Sequence, residues 1–373
     1  MKELQEILRA YEAVKKGEGK AKLATIVKVK GSTYRRPGAR MLIRDDGTSV
    51  GALSSGCLEA DVIERAKKIM ESHDAVTVTY DMTSPQNDLW GLNLGCNGII
   101  QILLESLPLS VRSPHLKFLS NCIAEGKPGV IASVFRVDGE LKAAVGSHLF
   151  LAQDGKIDED IRNPVLCAAL TKDCLDVLHS KSSCNKEYRF TEGIVEALIE
   201  YIQPPLPLFI FGAGADAIPL ARMAKELGWT VTVVDHRPAF ISKERFATAD
   251  QFTLARPEEV AEKITITSNA AAVILTHDFS LDLELLRVIL SSQASYVGLL
   301  GPSSRAELLI EKLKETGFTP TSQQLSRLHA PIGLNIGAES SEEIALSIMS
   351  EIQAFLNGRS GGFLRNHSGP IHG

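Results

Sequence analysis

The sequence of 373 residues predicts an α/β protein with two different halves. The N-terminal half is predicted to be an α+β domain with an internal duplication, because its sequence echoes itself at a constant offset. The C-terminal half is predicted to be a Rossmann-type, doubly wound parallel sheet, because a strand, a glycine-rich turn, a helix and a second strand follow one another. The proline-rich segment YIQPPLP lies between them.

This proline-rich segment sets the predicted domain boundary, because proline cannot continue a helix and favours extended linkers. A length prior of roughly 150 residues per domain is compatible with two or three domains. We predict an N-terminal domain over 1–203, a Rossmann domain over 204–358 and a flexible tail over 359–373. The two copies in the first domain are placed at about 20–107 and 128–203.

The duplication is predicted from two echoes. KLATIVKVKG and GARMLIRDDG, in residues 22–47, align without gaps on VIASVFRVDG and GSHLFLAQDG, 108 positions later. NGIIQILLES (97–106) aligns on EGIVEALIEY (192–201) at a slightly different offset. The alternative is chance similarity between two β-hairpins, since turn glycines and alternating patterns recur easily. Two echoes together favour the duplication.

A reactive cysteine is predicted near the start of a helix in the first copy. The run ALSSGCLEADVIERAKKIM reads as a turn followed by an amphipathic helix, with Ser54 or Ser55 as the N-cap. Cys57 then lies in or near the first turn, where the helix dipole favours a thiolate. The predicted apolar stripe of this helix is Leu58, Val62, Ala66 and Ile69.

Three arginines add positive charge just upstream of this cysteine. Arg35, Arg36 and Arg40 carry forked donors that suit a phosphate. The second copy has alanine or apolar residues opposite Arg35, Arg36 and Cys57, and a histidine opposite Arg40. If both copies share a fold, these residues serve a site rather than the fold. The alternative is a packed cysteine beside a solvated arginine turn.

A second candidate cysteine, Cys96, lies in LGCNG, where glycines let the backbone approach a ligand closely. The second copy has a threonine at this position. If Cys96 lies close to Cys57, the two could form the reversible disulfide of a redox sensor. The other four cysteines lack glycine framing and clustered charge, and we interpret them as core or surface thiols.

The segment PLFIFGAGADAIPLARMAKELGWTVTVVD is a βαβ unit with a GxGxxA turn. Gly212 permits the tight turn, Gly214 lets the backbone approach a pyrophosphate, and Ala217 allows close helix packing. Asp235 ends the second strand, 23 residues after Gly212, where a carboxylate can bind a ribose diol. This spacing favours NAD or another adenosine nucleotide over NADP. The alternative is a Rossmann fold retained after its ligand was lost.

A histidine and an aspartate, His277 and Asp278, follow a predicted strand at the edge where α/β sheets bind their ligands. His277 could serve as an acid or base beside a bound nicotinamide. The alternative is structural, with Asp278 or Ser280 capping the next helix and His277 bonding locally.

Composition excludes several classes of function. The net charge of −5 and the lack of a basic stripe argue against nucleic acid. No apolar run approaches the roughly 20 residues of a membrane span, and the start lacks the apolar region of a signal peptide. Six cysteines without a CxxC pair fit free thiols in a reducing cytoplasm. The sequence predicts no metal site.

Taken together, the motifs GSTYRRPGARML, SSGCLEADV, LGCNG, FGAGADAIPLARMAKELGWTVTVVDHRP, THD, YVGLLGP and PIGLNIGAESSEEIALSI resemble the XdhC/CoxI family over nearly the whole chain. The resemblance implies an accessory factor that binds the molybdenum cofactor, supports its sulfuration and helps insert it into a xanthine dehydrogenase-type molybdenum hydroxylase. It also implies an N-terminal XdhC/CoxI domain followed by a Rossmann domain. Ser55 departs from the family pattern, which more often has a second glycine there.

The resemblance implies cofactor handling by Cys57 and Cys96, to which Ser55, Gly56, Glu59 and the three arginines are added. The expected nucleotide-binding set is Gly212, Ala213, Gly214, Asp216, Ala217, Asp235, His236 and Arg237. The expected partners are the apoenzyme, a cysteine desulfurase and a second copy of the chain. The alternative function is an NAD-dependent oxidoreductase that uses the Rossmann domain and His277.

Overall fold

The computed structural model describes residues 1–17, 19–56, 58–70, 74–82, 98–107, 113–366 and 368. Cys57 and Cys96 lie outside the described residues. The chain forms two compact units, an N-terminal unit of Glu3–Pro204 and a C-terminal unit of Pro205–Gly373.

The N-terminal unit contains two repeats of one topology. The first repeat consists of α1 (Lys2–Lys16), β1 (Ala21–Gly31), β2 (Arg40–Arg44), β3 (Ser49–Gly51), α2 (Glu59–Lys68), β4 (Val76–Asp81) and β5 (Gly98–Ser106). The second repeat consists of α3 (Pro114–Glu125), β6 (Gly129–Gly139), β7 (His148–Ala152), β8 (Ile157–Glu159), α4 (Pro164–Ser180), β9 (Cys184–Phe190) and β10 (Gly193–Ile202).

The predicted duplication is confirmed by the strand order. The antiparallel sheets run β3-β2-β1-β5-β4 and β8-β7-β6-β10-β9, so equivalent strands hold equivalent places. Both central ladders carry a bulge at the same position, where Val27 and Phe135, 108 residues apart, are skipped. Each repeat also begins with a helix, α1 or α3, that the sequence echo did not reach.

The repeats bury three kinds of apolar surface. One face of the first sheet packs on α2 through Leu58 and Val62, and the second sheet packs on α4. The helices α1 and α3 share a core with both sheets. Between the repeats lies a small cluster made of two equivalent pairs, Val27 with Phe135 and Leu103 with Leu198. The packing between the repeats is therefore reciprocal, as expected of an approximate two-fold relationship.

The C-terminal unit is a parallel sheet with helices on both faces. Its strands are β11 (Pro207–Phe211), β12 (Thr230–Asp235), β13 (Gln251–Leu254), β14 (Ala271–Ile274), β15 (Tyr296–Leu299) and β16 (Leu328–His329). Its helices are α5 (Ala217–Glu226), α6 (Val260–Lys263), α7 (Phe279–Ser291), α8 (Ser303–Glu315), α9 (Ser322–Leu325) and α10 (Ser341–Leu356). The order β13-β12-β11-β14-β15-β16 confirms the predicted Rossmann-type fold.

This sheet reverses its strand order between β11 and β14, and the two strands end at the same edge. Helices α5 and α10 pack on one face, and α7 and α8 on the other. Ligands of such sheets bind at this switch point, so the loops after β11, β12 and β14 are the place to look for a nucleotide. Among the described residues, no helix is both long and apolar enough to span a bilayer.

Candidate functional site

The loop between β3 and α2, residues 52–58, is organised by the Glu59 carboxylate. Its Oε1 accepts hydrogen bonds from the backbone N–H groups of Leu53 (3.0 Å) and Ser54 (2.7 Å). Its Oε2 accepts from the Ser54 hydroxyl and from the N–H of Leu58 (3.2 Å). Burial alone would raise the pKa of Glu59, but these bonds hold the pKa below its usual value. Glu59 therefore holds the loop in place, and its carboxylate oxygens have little capacity left to bind a ligand.

The start of α2 corrects one prediction. The helix begins at Glu59 with Leu58 as its N-cap, and no side chain caps it. The prediction of Ser54 or Ser55 as N-cap is wrong because Ser54 lies earlier in the loop, where its hydroxyl accepts from the N–H groups of Gly56 and Leu58. The predicted stripe is confirmed for Leu58, Val62 and Ala66, which are buried.

The tip of the loop is exposed. Gly56 has a φ of +110°, a conformation that side chains other than glycine rarely adopt. Among the described residues, none lies within 4 Å of the position that a Cβ atom at Gly56 would take, so the glycine serves the backbone conformation and these residues leave the space beside it open. Ser55 is exposed as well.

Two of the three predicted arginines lie near this loop. Arg35 forms an ion pair with Glu3, and Glu3 Oε1 also accepts from the backbone N–H of Ala52 at 2.7 Å. One carboxylate thus ties the arginine loop, residues 32–39, to the first residue of the 52–58 loop. Arg36 lies in the same arginine loop and is exposed.

Arg40 lies in the interior instead. It is 5% exposed and donates to both carboxylate oxygens of Glu200, at 2.8 and 2.5 Å, and to the Gly38 carbonyl at 2.7 Å. The guanidinium donors that were expected to bind an anion are therefore committed within the protein. Arg40 is therefore not available to bind an anion, contrary to the prediction. The prediction used a local pattern, which did not include Glu200 on the distant strand β10.

In the second repeat, the segment between β8 and α4 takes the place of the 52–58 loop and ends in a helix with a side-chain N-cap. Helix α4 begins after Asn163, whose side chain accepts from the N–H groups of Val165 and Leu166 at 3.0 Å, and Pro164 takes the first helical position. Val165, 108 positions after Cys57, is 66% exposed. The fold therefore does not need the glycine-containing loop of the first repeat.

The four described cysteines behave as structural thiols. They are free, and burial raises the pKa of Cys122 to about 11 and that of Cys174 to about 12. The pKa values of Cys167 and Cys184 are also raised by burial. None of these four is therefore a thiolate at neutral pH.

The glycine-rich turn of the C-terminal unit has the geometry expected for it. Gly212 has a φ of +108°, and a Cβ there would meet the Leu275 carbonyl oxygen at 2.6 Å. No atom in the described part of the chain lies within 4 Å of where a Cβ of Gly214 would be, which leaves space in front of the turn. Ala217 is fully buried at the start of α5.

Asp235, which was expected to bind a ribose, has its carboxylate fully used. Oδ1 accepts from Arg237 N and Nε, both at 2.9 Å, and Oδ2 accepts from Ala213 N (2.7 Å) and Arg237 Nη2 (2.8 Å). Burial alone would raise the pKa of Asp235, but the bonds from Arg237 and Ala213 lower it to about 2. His236 lies nearby, with Nδ1 3.5 Å from Oδ1. A ribose diol could reach this carboxylate only if Arg237 moved.

Asp216, in the glycine-rich turn, contacts two other predicted regions. Its carboxylate lies 2.9 Å from His277 Nε2 and accepts a hydrogen bond from the Ser341 hydroxyl at 2.5 Å. His277 is exposed and has a φ of +60°, uncommon outside glycine. Asp278 caps α7 by accepting from the N–H groups of Ser280 and Leu281, as the structural alternative predicts.

A cavity of about 200 Å³ lies at the carboxyl ends of these strands. Its lining includes Gly212, Asp235, Arg237, Thr276 and Asp278. The structure thus brings most of the predicted nucleotide-binding residues to one edge of the sheet, with Asp216 and His277 beside the same turn.

A buried polar cluster at the junction of the repeats was not predicted. It consists of Glu105, His115 and His148, next to the Arg40–Glu200 ion pair. A signal for it exists in the echoes, because Glu105 aligns with Glu200 and His148 aligns with Arg40. No local motif connects these positions, so the signal lies only in the comparison of the two repeats.

The fold and the loops define a protein with a duplicated α+β domain joined to a Rossmann domain. Family models described as "XdhC and CoxI family" and "XdhC Rossmann domain" match residues 15–81 and 208–352. The chain is 33% identical to a Bacillus subtilis protein described as a probable xanthine dehydrogenase subunit, over 91% of this chain and 94% of that protein. It therefore belongs to the XdhC/CoxI family, as the sequence motifs predicted.

Two further proteins are similar over most of their length. The molybdenum cofactor insertion chaperone PaoD of Escherichia coli is 26% identical over 93% of this chain and 86% of its own. A crystal structure described as a xanthine dehydrogenase from Bacillus halodurans has a TM-score of 0.75 and 30% identity, with 98% of each chain covered.

Proposed function

We propose that this protein carries the molybdenum cofactor and delivers it to a xanthine dehydrogenase-type molybdenum hydroxylase. The observation that carries the proposal is the contact of Glu3 with both Arg35 and Ala52, which joins the arginine loop to the loop that contains Cys57. The similarity to a molybdenum cofactor insertion chaperone along 93% of the chain supports the same role.

The chemistry of these loops suits the cofactor. Arg36 is exposed next to the ion-paired Arg35 in the sequence, and its guanidinium can bind the phosphate of a pterin. The space that the described residues leave open beside Gly56 admits a ligand to the loop tip. A thiolate from Cys57, with Cys96 as a second candidate, is a soft ligand suited to molybdenum or to a sulfur being transferred. The second repeat has Ala143 and Ala144 opposite the two arginines and an Asn-capped helix, α4, at the position of the 52–58 loop.

We extend the proposal to sulfuration of the cofactor, with a cysteine desulfurase, the apoenzyme and a second copy of the chain as partners in the cytoplasm. The Rossmann domain would bind a nucleotide or dock one of these partners. Either role uses the loops after β11, β12 and β14.

The test is retention of the cofactor. Purified protein is mixed with molybdenum cofactor released from a molybdenum enzyme, and unbound cofactor is removed by filtration. Wild type and Cys167→Ala, a matched cysteine control in the second repeat, are expected to retain about one equivalent, and Cys57→Ala much less. Equal, low retention by wild type and Cys57→Ala would reject the carrier role.

An NAD-dependent oxidoreductase is the second candidate, favoured by the pairing of His277 with Asp216 beside the glycine-rich turn. The saturated carboxylate of Asp235 argues against it, because no acceptor is left for the ribose diol. NADH should stabilise a hydride-transfer enzyme against thermal unfolding and should be consumed with some substrate. A carrier requires neither result.

A further inference from the structure

Among the described residues, three buried polar atoms at the junction of the repeats make no hydrogen bond. They are Glu105 Oε2 on β5, His115 Nδ1 on α3 and His148 Nε2 on β7. The side chains of both histidines and of Glu105 are at least 88% buried, with exposures of 5%, 7% and 12%. A buried polar atom without a partner costs free energy, so a cluster of three calls for an explanation.

The three side chains point at one another. His115 Nδ1 lies 3.7 Å from Glu105 Oε2, and His148 Nε2 lies 3.2 Å from Glu105 Oε1. One ligand atom from each residue lies within 4.8 Å of the other two. Ligands held roughly 2.1 Å from a tetrahedral metal are themselves roughly 3.4 Å apart, so the observed separations need only small adjustments.

We propose that Glu105, His115 and His148 bind a divalent cation of the zinc type, which joins the first repeat to the second. Two imidazoles and one carboxylate form a ligand set that suits borderline metals such as Zn²⁺. Glu105 comes from the first repeat and both histidines from the second, so the bound cation would link them. The proposal does not depend on the carrier function, because none of these residues lies in the loops assigned to the cofactor.

The surroundings of the site have room and charge for a cation. A cavity of about 150 Å³ opens beside the cluster and is lined by Ser106, Ser113 and Asp160 among others, which leaves space for a water molecule as fourth ligand. Glu105, Glu200 and Asp160 carry potential negative charge, and the described cations nearby are Arg40, which is paired with Glu200, and Lys22, which donates to Ser106 of the cavity lining. His115 and His148 each direct one ring nitrogen toward Glu105, so that each ring offers a ligand atom to the cluster.

Arg40 determines which nitrogen of the His115 ring must carry the hydrogen when a cation binds. Its Nη2 lies 3.3 Å from His115 Nε2, which implies that the hydrogen of the metal-free ring is on Nδ1. A cation on Nδ1 moves that hydrogen to Nε2, and Arg40 then keeps its bonds to Glu200 and Gly38 alone. His148 stacks on Phe150, with centroids 5.5 Å apart, and this packing holds its ring in place.

The test uses the full chain stripped with a chelator. Zn²⁺ is titrated by calorimetry, and Co²⁺ is added as a visible probe because its spectrum distinguishes thiolate from nitrogen and oxygen ligands. Wild type and His179→Gln, an exposed histidine on α4, are expected to bind one equivalent without thiolate bands. Glu105→Gln and His148→Gln should bind at least tenfold more weakly.

Equal binding by wild type and both site variants would overturn the proposal, and so would a wild type that binds no cation. If the variants fail to fold, X-ray absorption of zinc-loaded wild type decides. A shell with two imidazoles and no sulfur supports the site, and a shell of sulfur ligands overturns it.

Discussion

Arg40 of the first repeat forms a buried ion pair with Glu200 of the second repeat, and the two are joined by two hydrogen bonds. The equivalent residues are His148 of the second repeat and Glu105 of the first, which also face each other. One ancestral contact therefore occurs twice across the junction, once with a permanent positive charge and once with a neutral ring.

The first prediction concerns this ion pair. Glu200→Gln and Arg40→Met should each lower the free energy of unfolding by about 3–5 kcal/mol, because each leaves one buried charge without its partner. The double variant Arg40→Met with Glu200→Leu should lose less than the two single losses together. Denaturant titration measures this, with Arg189→Gln, from an exposed ion pair, as the control. Single losses no larger than that of the control would contradict the assigned role of the pair.

A second prediction concerns pH. The pKa of His115 is lowered to about 3 by burial and then by Arg40, and burial lowers that of His148 to about 4. An unfolded histidine takes up a proton near pH 6.5, so the metal-free protein should lose stability as the pH falls from about 6.5 toward 4. Each histidine contributes a slope of up to about 1.4 kcal/mol per pH unit.

The pH experiment compares wild type with a histidine variant, because Glu105 also changes the pH dependence of stability. Burial raises the pKa of Glu105, so its contribution to the slope has the opposite sign. Unfolding free energies of wild type and His148→Phe are measured in chelator between pH 7 and 4.5. The variant should show the shallower slope. Identical slopes would contradict the neutral, buried state of His148.

The third prediction tests the 52–58 loop. Glu59→Ala removes the acceptor of four hydrogen bonds, so the free energy of unfolding should fall by about 2 kcal/mol and cofactor retention should drop. Glu64→Ala, on an exposed part of the same helix, is the control for both measurements. Full cofactor retention by a folded Glu59→Ala protein would show that the loop geometry is irrelevant.

A fourth prediction tests the nucleotide edge. Arg237→Met should free the two acceptor positions of Asp235 that the guanidinium occupies, and NADH should then bind roughly tenfold more tightly than to wild type. Fluorescence titration measures the affinity, and Arg222→Met, exposed on α5, is the control. Unchanged or weaker binding would mean that Arg237 does not compete with a ribose for this carboxylate.

Patterns within each segment predicted much of the architecture. The Rossmann fold was predictable because strand, glycine-rich turn, helix and strand are adjacent in the sequence, and the duplication because both copies kept their turn glycines. The capping box of Ser340 and Glu343 at the start of α10 is a local pattern of the same kind. The helices α1 and α3 escaped the echo because only their apolar faces are constrained.

The site features that the sequence did not predict depend on side-chain contacts that spacing along the chain does not show. Arg40 was predicted to bind an anion because a local sequence pattern does not include its partner Glu200, which is 160 positions away. Asp235 was predicted to bind a ribose because the spacing does not show that the Arg237 guanidinium donates to both of its carboxylate oxygens. The Glu105, His115 and His148 cluster joins three elements of two repeats, and no spacing rule connects them.

We propose that the 52–58 loop of the first repeat carries the cofactor and that the fold does not need this loop. The protein itself supplies the test, since residues 52–58 (ALSSGCL) can be replaced by residues 160–166 (DIRNPVL) of the second repeat. Cofactor retention by the folded chimera is then compared with that of wild type. We expect the chimera to have wild-type circular dichroism and to retain almost no molybdenum cofactor. Retention equal to that of wild type would show that this loop does not carry the cofactor.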